Sequence, residues 1–191
     1  IFYVHVPFED QSDLPLFDSG LSSFSLSQIF SENIFSGGDR INDADQLTVG
    51  VSSQFLDAES GVERFKVTAA QRFHFDEELV VINPTDAPRT GNRSDILLGG
   101  NGRINESWRA NTLLQYSGVL DEVISHDHRL QYKPQQGKVV SFAYRYTRDA
   151  HEQFDISGQW PIKGNWGAAG RWNYAKDSGK LIEGVLGLEY K

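Results

Sequence analysis

The chain has 191 residues, 39% of them hydrophobic and 12% aromatic, with a net charge of −8 and neither cysteine nor methionine. This acidic balance argues against a nucleic-acid partner, and the missing cysteines exclude a disulfide framework and thiol chemistry within these residues. No run of about 18 apolar residues occurs, which excludes a membrane-spanning helix but not a transmembrane barrel, whose apolar residues are hidden in alternation.

Alternation with period two recurs from one end of the chain to the other. Phe2, Val4, Val6 and Phe8 fall on one face of a first strand, and Ile1-Phe2-Tyr3-Val4 already reads as mid-strand, as expected for an internal piece of a longer polypeptide. In a second strand Leu47, Val49, Val51 and Phe55 oppose Thr48, Gly50, Ser52 and Gln54. Residues 62–75 set Phe65, Val67, Ala69, Phe73 and Phe75 against Arg64, Lys66, Thr68, Arg72 and His74. Residues 94–104 set Ile96, Leu98 and Ile104 against Asp95, Asn101 and Arg103, and the next strand sets Trp108, Ala110, Leu114 and Tyr116 against Arg109, Asn111 and Gln115.

The second half continues the pattern. Residues 122–133 alternate less cleanly, with Ile124, Leu130 and Tyr132 together. Residues 138–148 set Val140, Phe142, Tyr144 and Tyr146 against Ser141, Arg145 and Thr147. Residues 152–162 and 165–175 place Phe154, Ile156, Trp160, Trp166, Trp172 and Tyr174 opposite polar partners that include Asp155 and Arg171. The last strand sets Ile182, Leu186, Leu188 and Tyr190 against Glu183 and Glu189. The expectation is about ten strands, no helix, and an all-β antiparallel up-and-down meander.

The polar face separates a sandwich from a barrel. A sandwich turns its polar face to bulk water, where Lys and Glu prevail, whereas this face carries Arg, Asn, Gln, Ser and Thr, which suits a hydrated lumen. Arg64, Lys66, Arg72, Arg103, Arg109, Arg145 and Arg171 are the candidate lumen-facing cations. Connection lengths agree. The long loops 9–45 and 76–93 fall at one end of the strands, and turns at 57–61, 105–106, 134–137 and 163–164 fall at the other, as in barrels with short periplasmic turns.

Phe35 to Asp45 is the candidate functional loop. Gly37 and Gly38 permit positive φ and close backbone approach, Asp39 and Arg40 can pair with each other or with loop carbonyls, and Asp43 and Asp45 suit Asx turns. It reads either as a loop folded on the lumen or as one that shapes an exit route. His126-Asp127-His128 offers two imidazoles on one face without a third ligand, so no metal site is assigned. His5, His74 and His151 are isolated, and Asp76-Glu77-Glu78 reads as a solvated tip, or as a binder of bridging divalent cations. No catalytic motif is found and no cofactor is implied.

Phe35-Ser36-Gly37-Gly38-Asp39-Arg40-Ile41, Asp43-Ala44-Asp45-Gln46-Leu47-Thr48 and Phe55-Leu56-Asp57 resemble the signature of the lipopolysaccharide-assembly outer-membrane family, LptD. Val6 to Asp13 is similar to the segment preceding that signature, and Gly184 to Tyr190 to the strand leading to the family's paired C-terminal cysteines. The resemblance implies that residues 1–191 are an incomplete segment of a large multi-pass barrel in the outer membrane of a Gram-negative bacterium. It implies a translocon that places lipopolysaccharide in the outer leaflet without catalysing a reaction. The implied partners are lipopolysaccharide, outer-membrane lipid, an LptE-type plug lipoprotein in the lumen, and an LptA-type periplasmic bridge reached through an N-terminal domain outside this segment. The lateral gate, between the first and last barrel strands, would also lie outside it. A barrel enzyme of phospholipase or protease type and a soluble β-sandwich binding module are the alternatives.

Overall fold

The computed structural model describes residues 1–22, 24–83 and 85–190. Ser23 and Pro84, within the two expected long loops, and Lys191 lie outside the described residues. The elements are β1 (Phe2–Val6), β2 (Gly20–Leu21), a 3-10 turn (Gln28–Phe30), β3 (Phe35–Ser36), β4 (Ala44–Leu56), β5 (Glu63–His74), β6 (Ile96–Arg103), β7 (Trp108–Ser117), β8 (Glu122–Gln135), β9 (Lys138–Thr147), β10 (His151–Lys163), β11 (Trp166–Ala175) and β12 (Lys180–Tyr190). Ten of the strands form one antiparallel sheet in the order β1-β4-β5-β6-β7-β8-β9-β10-β11-β12, while β2 and β3 pair only with each other. The protein is all-β and its sheet is a meander consistent with part of a barrel; the sheet is not closed, since β1 and β12 end the order without pairing.

Local chemistry explains the strand boundaries. β8 runs on through Pro134 to Gln135, two residues past the expected end, because the pairing register shifts between Tyr132 and Gln135. Proline cannot donate to a ladder and is accepted at such an irregularity. Pro161 occupies the corresponding position in β10, where the register shifts before Lys163. Gly137 and Gly164 take positive φ in the adjoining turns.

The register fixes the faces. Phe142 lies opposite Leu130 and Ile156, and Ile156 opposite Trp172, which extends an apolar row over four strands. Arg145 pairs with Asp127 and Gln153 on the other face, as the alternation requires. In β12 a shift between Asn173 and Tyr174 puts Leu181, not Ile182, opposite Tyr174. β1 differs from its neighbours: Phe2 pairs with Thr48, Val4 with Gln46 and Val6 with Ala44, so its apolar set shares the polar face of β4. Alternation groups residues on one face; it does not say which face that is.

The chain forms two compact units. The first comprises Ile1–Val51, Ala69–Leu97 and Ser117–Val119, and its small core is Ile29, Ala70 and Leu97 with Phe24 and Leu26 against them. Its burial is inverted relative to a water-soluble sheet: Thr48 and Gln46 are 0% and 1% exposed, while Val49 and Val51 on the opposite face are 39% and 68% exposed.

The second unit comprises Ser52–Thr68, Leu98–Tyr116 and Leu120–Lys191. Its apolar face is uncovered, with Phe142, Ile156 and Trp172 at 40–43% exposure. Two aromatic bands lie on that face. One contains His126 against Tyr146 (ring centroids 5.1 Å apart), Tyr144 against Phe154 (4.8 Å) and Trp172 against Tyr174 (5.4 Å). The other contains Trp108 against Tyr132 (4.6 Å), Tyr132 against Trp160 (6.4 Å) and Trp166 against Tyr190 (5.1 Å). Six residues separate Trp160 from Phe154 and Trp166 from Trp172, about 20 Å of strand.

Candidate functional site

The Phe35–Asp45 motif is a buckle that gathers four separate segments of the first unit. Gly37, at φ 82°, lies so close to the backbone of Asp18 that a Cβ would sit 2.6 Å from its carbonyl oxygen. Only glycine combines that φ with that approach. Asp39 exploits the proximity: Oδ2 accepts hydrogen bonds from the amides of Phe17 (2.8 Å) and Asp18 (2.7 Å), and its own amide donates to Ser19 Oγ. The amide of Asp18, then that of Phe17, hold the Asp39 carboxyl below the usual carboxylate range. Gly38 has neither a positive φ nor a crowding neighbour, so the expected backbone role belongs to Gly37 alone.

Arg40 is buried and donates to the carbonyls of Asp39 (3.1 Å) and Leu14 (3.0 Å). It bonds loop carbonyls, one of the two expected alternatives, and makes no ion pair with Asp39 among the described residues. Gln11 imitates a backbone neighbour for Ile41, donating from Nε2 to its carbonyl and accepting from its amide at Oε1. Asn33 and Asn42 close the interior of the loop: Asn42 Oδ1 accepts from the Ile34 amide, and Asn33 Nδ2 donates to the Arg40 carbonyl.

Asp43 makes no Asx turn. Its carboxylate instead accepts from the amides of Leu79 (2.8 and 3.0 Å) and Val80 (3.0 Å), which fastens the loop after β5 to the start of β4. The two long loops therefore do meet at one end of the strands. Asp45 accepts from the Tyr3 hydroxyl at 2.8 Å, linking β4 to β1 rather than turning the chain.

Arg72 is the strongest tie between loop and sheet. It is 1% exposed, and Nη2 donates to the carbonyls of Ile29 (2.7 Å), Gln28 (3.0 Å) and Ser31 (3.3 Å). Thr48 Oγ1 donates to the same Ile29 carbonyl at 2.9 Å, and the Phe30 ring lies over Gly50, 2.7 Å from where a Cβ would stand. The 3-10 turn thus seats on the polar face of β4 and β5, where Arg72 meets the carbonyl groups a short helix leaves unpaired at its end. In the sequence this side chain is one cation of an alternating face, and nothing there points to residues 28–31.

The other candidate cations occupy the polar face of the second unit. Arg64 holds Asp57 (2.6 Å) in the turn after β4, where the Ser60 amide and this guanidinium keep the Asp57 carboxyl far below its usual range. Arg145 pairs with Asp127 at 2.9 Å, and Arg171 with Asp155 at 2.6 Å and Glu183 at 2.8 Å. Lys66, Arg103 and Arg109 have no side-chain partner among the described residues.

Two sequence readings are corrected. His74 is not isolated and Glu78 is not a solvated tip: both are buried, His74 Nδ1 lies 3.0 Å from Glu78 Oε1, and Arg89 Nε lies 3.4 Å from Glu78 Oε2. A short antiparallel bridge between Glu78 and Arg89 folds the carboxylate inward, a pairing that crosses ten intervening residues. His126 and His128 do share a face, with ring centroids 5.0 Å apart, but the second has its Nδ1 2.6 Å from Thr112 Oγ1, and the described residues hold no metal-binding group of three or more His, Cys, Asp or Glu.

Comparison with known proteins supplies the family. A family profile described as LPS transport system D matches residues 1–166. The LPS-assembly protein LptD of Thiobacillus denitrificans is 44% identical over 190 residues, covering 100% of this chain and 26% of that protein. The proteins of the same name from Nitrosomonas europaea and Aromatoleum aromaticum are 39% and 37% identical, again over 100% of this chain and over 26% and 24% of theirs. The chain spans about a quarter of the length of these curated relatives. It belongs to the LptD family.

Proposed function

We propose that residues 1–191 are a segment of the C-terminal transmembrane β-barrel of an LptD-type protein, in the outer membrane of a Gram-negative bacterium. The whole barrel inserts lipopolysaccharide into the outer leaflet. The observation that carries this reading is inverted burial: the loop before β4 folds onto the polar face, and the apolar face is left to another apolar phase. Buried polar groups need hydrogen-bond partners, and the loop supplies them to Thr48 and Arg72. The two aromatic bands, one on each side of the apolar stretch along the strands, suit the two interfaces of an outer-membrane bilayer.

On this reading the polar face is lumen wall. The buckled loop narrows and shapes the route by which lipopolysaccharide leaves, and an LptE-type lipoprotein plugs the lumen. An LptA-type bridge delivers the lipid through an N-terminal domain outside the segment. The segment binds and positions; it moves no bond. The names of the relatives agree, since each is called an assembly protein.

The test is Asp39→Ala with Arg40→Ala in the full-length protein, as the sole copy in Gram-negative cells. With barrel level held constant by immunoblot, surface lipopolysaccharide should fall and sensitivity to large hydrophobic antibiotics should rise. Normal sensitivity at normal level would remove the loop from the transport route.

A further inference from the structure

The cations on the polar face of the second unit divide into two groups. Toward β12 they are neutralised, Arg145 by Asp127 and Arg171 by Asp155 and Glu183. On β5 to β8 Arg64 holds Asp57, but the side chains of Lys66, Arg103, Arg109 and Arg129 have no hydrogen-bond or ion-pair partner among the described residues.

Contacts on the opposite face place these four together. A Cβ on Gly102 would lie 2.6 Å from Phe65 Cβ, and one on Gly100 would lie 3.1 Å from Thr112 Cγ2, so these four residues share the apolar face. The hydrogen bond between Thr112 and His128 carries that face to β8. Alternation then turns Lys66, Arg103, Arg109 and Arg129 to the polar face. The Ile104 amide donates to the Trp108 carbonyl, a register that sets Arg103 directly across from Arg109.

Like charges directly opposite destabilise a sheet. A chain with 26 acidic residues has placed none of them to relieve this pair, although it relieves Arg145 and Arg171 a few strands away. The neighbouring polar-face positions Asn101 and Asn111 are amides that can bond hydroxyl groups; the large aliphatic side chain beside them, Leu113, is half-buried, and no aromatic anchor of the sort a protein partner favours stands among them.

We propose that this patch is a binding site for the phosphate groups of a phosphorylated saccharide, the sugar region of lipopolysaccharide, an assignment that rests on the function proposed above. Unpaired, half-buried to exposed guanidinium and ammonium groups spaced by the strand separation engage several phosphate oxygens in turn by charge-assisted hydrogen bonds, and the amides between them engage sugar hydroxyls. A patch without aromatic anchors holds such a ligand while letting it move on.

The test compares binding of lipopolysaccharide, and of the same material after phosphatase treatment, to the full-length protein in detergent. In the variant Lys66→Gln/Arg103→Gln/Arg109→Gln, affinity for untreated lipopolysaccharide should fall about tenfold or more, since three charge-assisted bonds are lost. Affinity for the treated material should not change. The charge-conserving variant Lys66→Arg/Arg103→Lys/Arg109→Lys should lose far less affinity for untreated lipopolysaccharide than the neutral one and none for the treated material, and heat-modifiable gel mobility should report a folded barrel for each. Unchanged binding of untreated lipopolysaccharide by the neutral variant overturns the proposal. So does loss of a co-purifying protein with lipopolysaccharide binding intact, which makes the patch a protein seat. If the unmodified protein binds neither material, the function proposed above fails and this site with it.

Discussion

The two units take the same alternating pattern and complete it differently. In the first, the polar face of β4 and β5 is covered by the chain itself, and Gln46, Thr48 and Arg72 are almost fully buried. In the second, only Ala143, Asn173 and Ala175 are buried among the described residues, and the apolar rows of β9 to β12 stay open. Burial in water follows apolar area. At Thr48 and Arg72 it follows hydrogen-bonding capacity instead, because what is seated on them is the carbonyl-lined 28–31 turn. The covered region is therefore held by specific polar contacts, each of which can be broken singly, whereas the open region is held by its ladder and by whatever surrounds its apolar face.

The largest effect should come from inverting the open region. Phe142 lies between the two aromatic bands, one side-chain step in from Tyr144, so Phe142→Arg in the full-length protein should cost up to about 2–4 kcal/mol, the figure for a cation at the bilayer midplane. Refolding into lipid vesicles followed by urea titration measures it, and a cost near zero would mean that this face does not meet lipid.

In the covered region Arg72→Ala removes a donor shared by three loop carbonyls, of which Ile29 keeps the Thr48 hydroxyl and Gln28 the Ser31 amide, and should destabilise the seated turn by about 1–3 kcal/mol. The expected signature is local: new proteolytic cleavage at residues 24–31 with strand protection unchanged. Global unfolding instead would show that the loop and the sheet are one cooperative unit.

Gly50→Val should cost about 1–3 kcal/mol, because the added side chain meets the Phe30 ring where no room exists. Phe30→Ala should offset most of that cost. No compensation in the double variant would place the strain elsewhere.

The Asp39 contact predicts a smaller, pH-dependent effect. Its carboxyl is held below the usual range in the folded loop, so its contribution is complete above the unfolded value of roughly pH 4 and disappears as pH falls through the lower folded value. Pepsin digestion between roughly pH 4 and pH 2 should show the 17–20 segment opening in the unmodified protein. Asp39→Asn should be open throughout, and an acid step that survives in it would assign the titration to another group.

The smallest effect belongs to the exposed pairs of the second unit. Arg145→Gln breaks a half-exposed ion pair and should change stability by less than about 1 kcal/mol. A loss several times larger would show that the polar face there is drier than its exposure indicates.

The sequence by itself determined the strands, their antiparallel order and which residues share a face. Those properties arise from backbone geometry, in which side chains alternate with period two and short turns force neighbours to pair. The motif around Gly37 was legible as a loop under backbone constraint because glycine at a crowded positive-φ position leaves a compositional mark. Tertiary structure alone decided that the apolar face of β1 turns the other way, that Arg72 reaches residues 28–31, that Asp43 fastens the second loop, and that Glu78 is buried beside His74. Each of those depends on a contact across eleven to forty-odd positions, for Glu78 the bridge to Arg89 that folds it in, and no local propensity encodes which of several equivalent cations, carboxylates or faces a returning loop will meet.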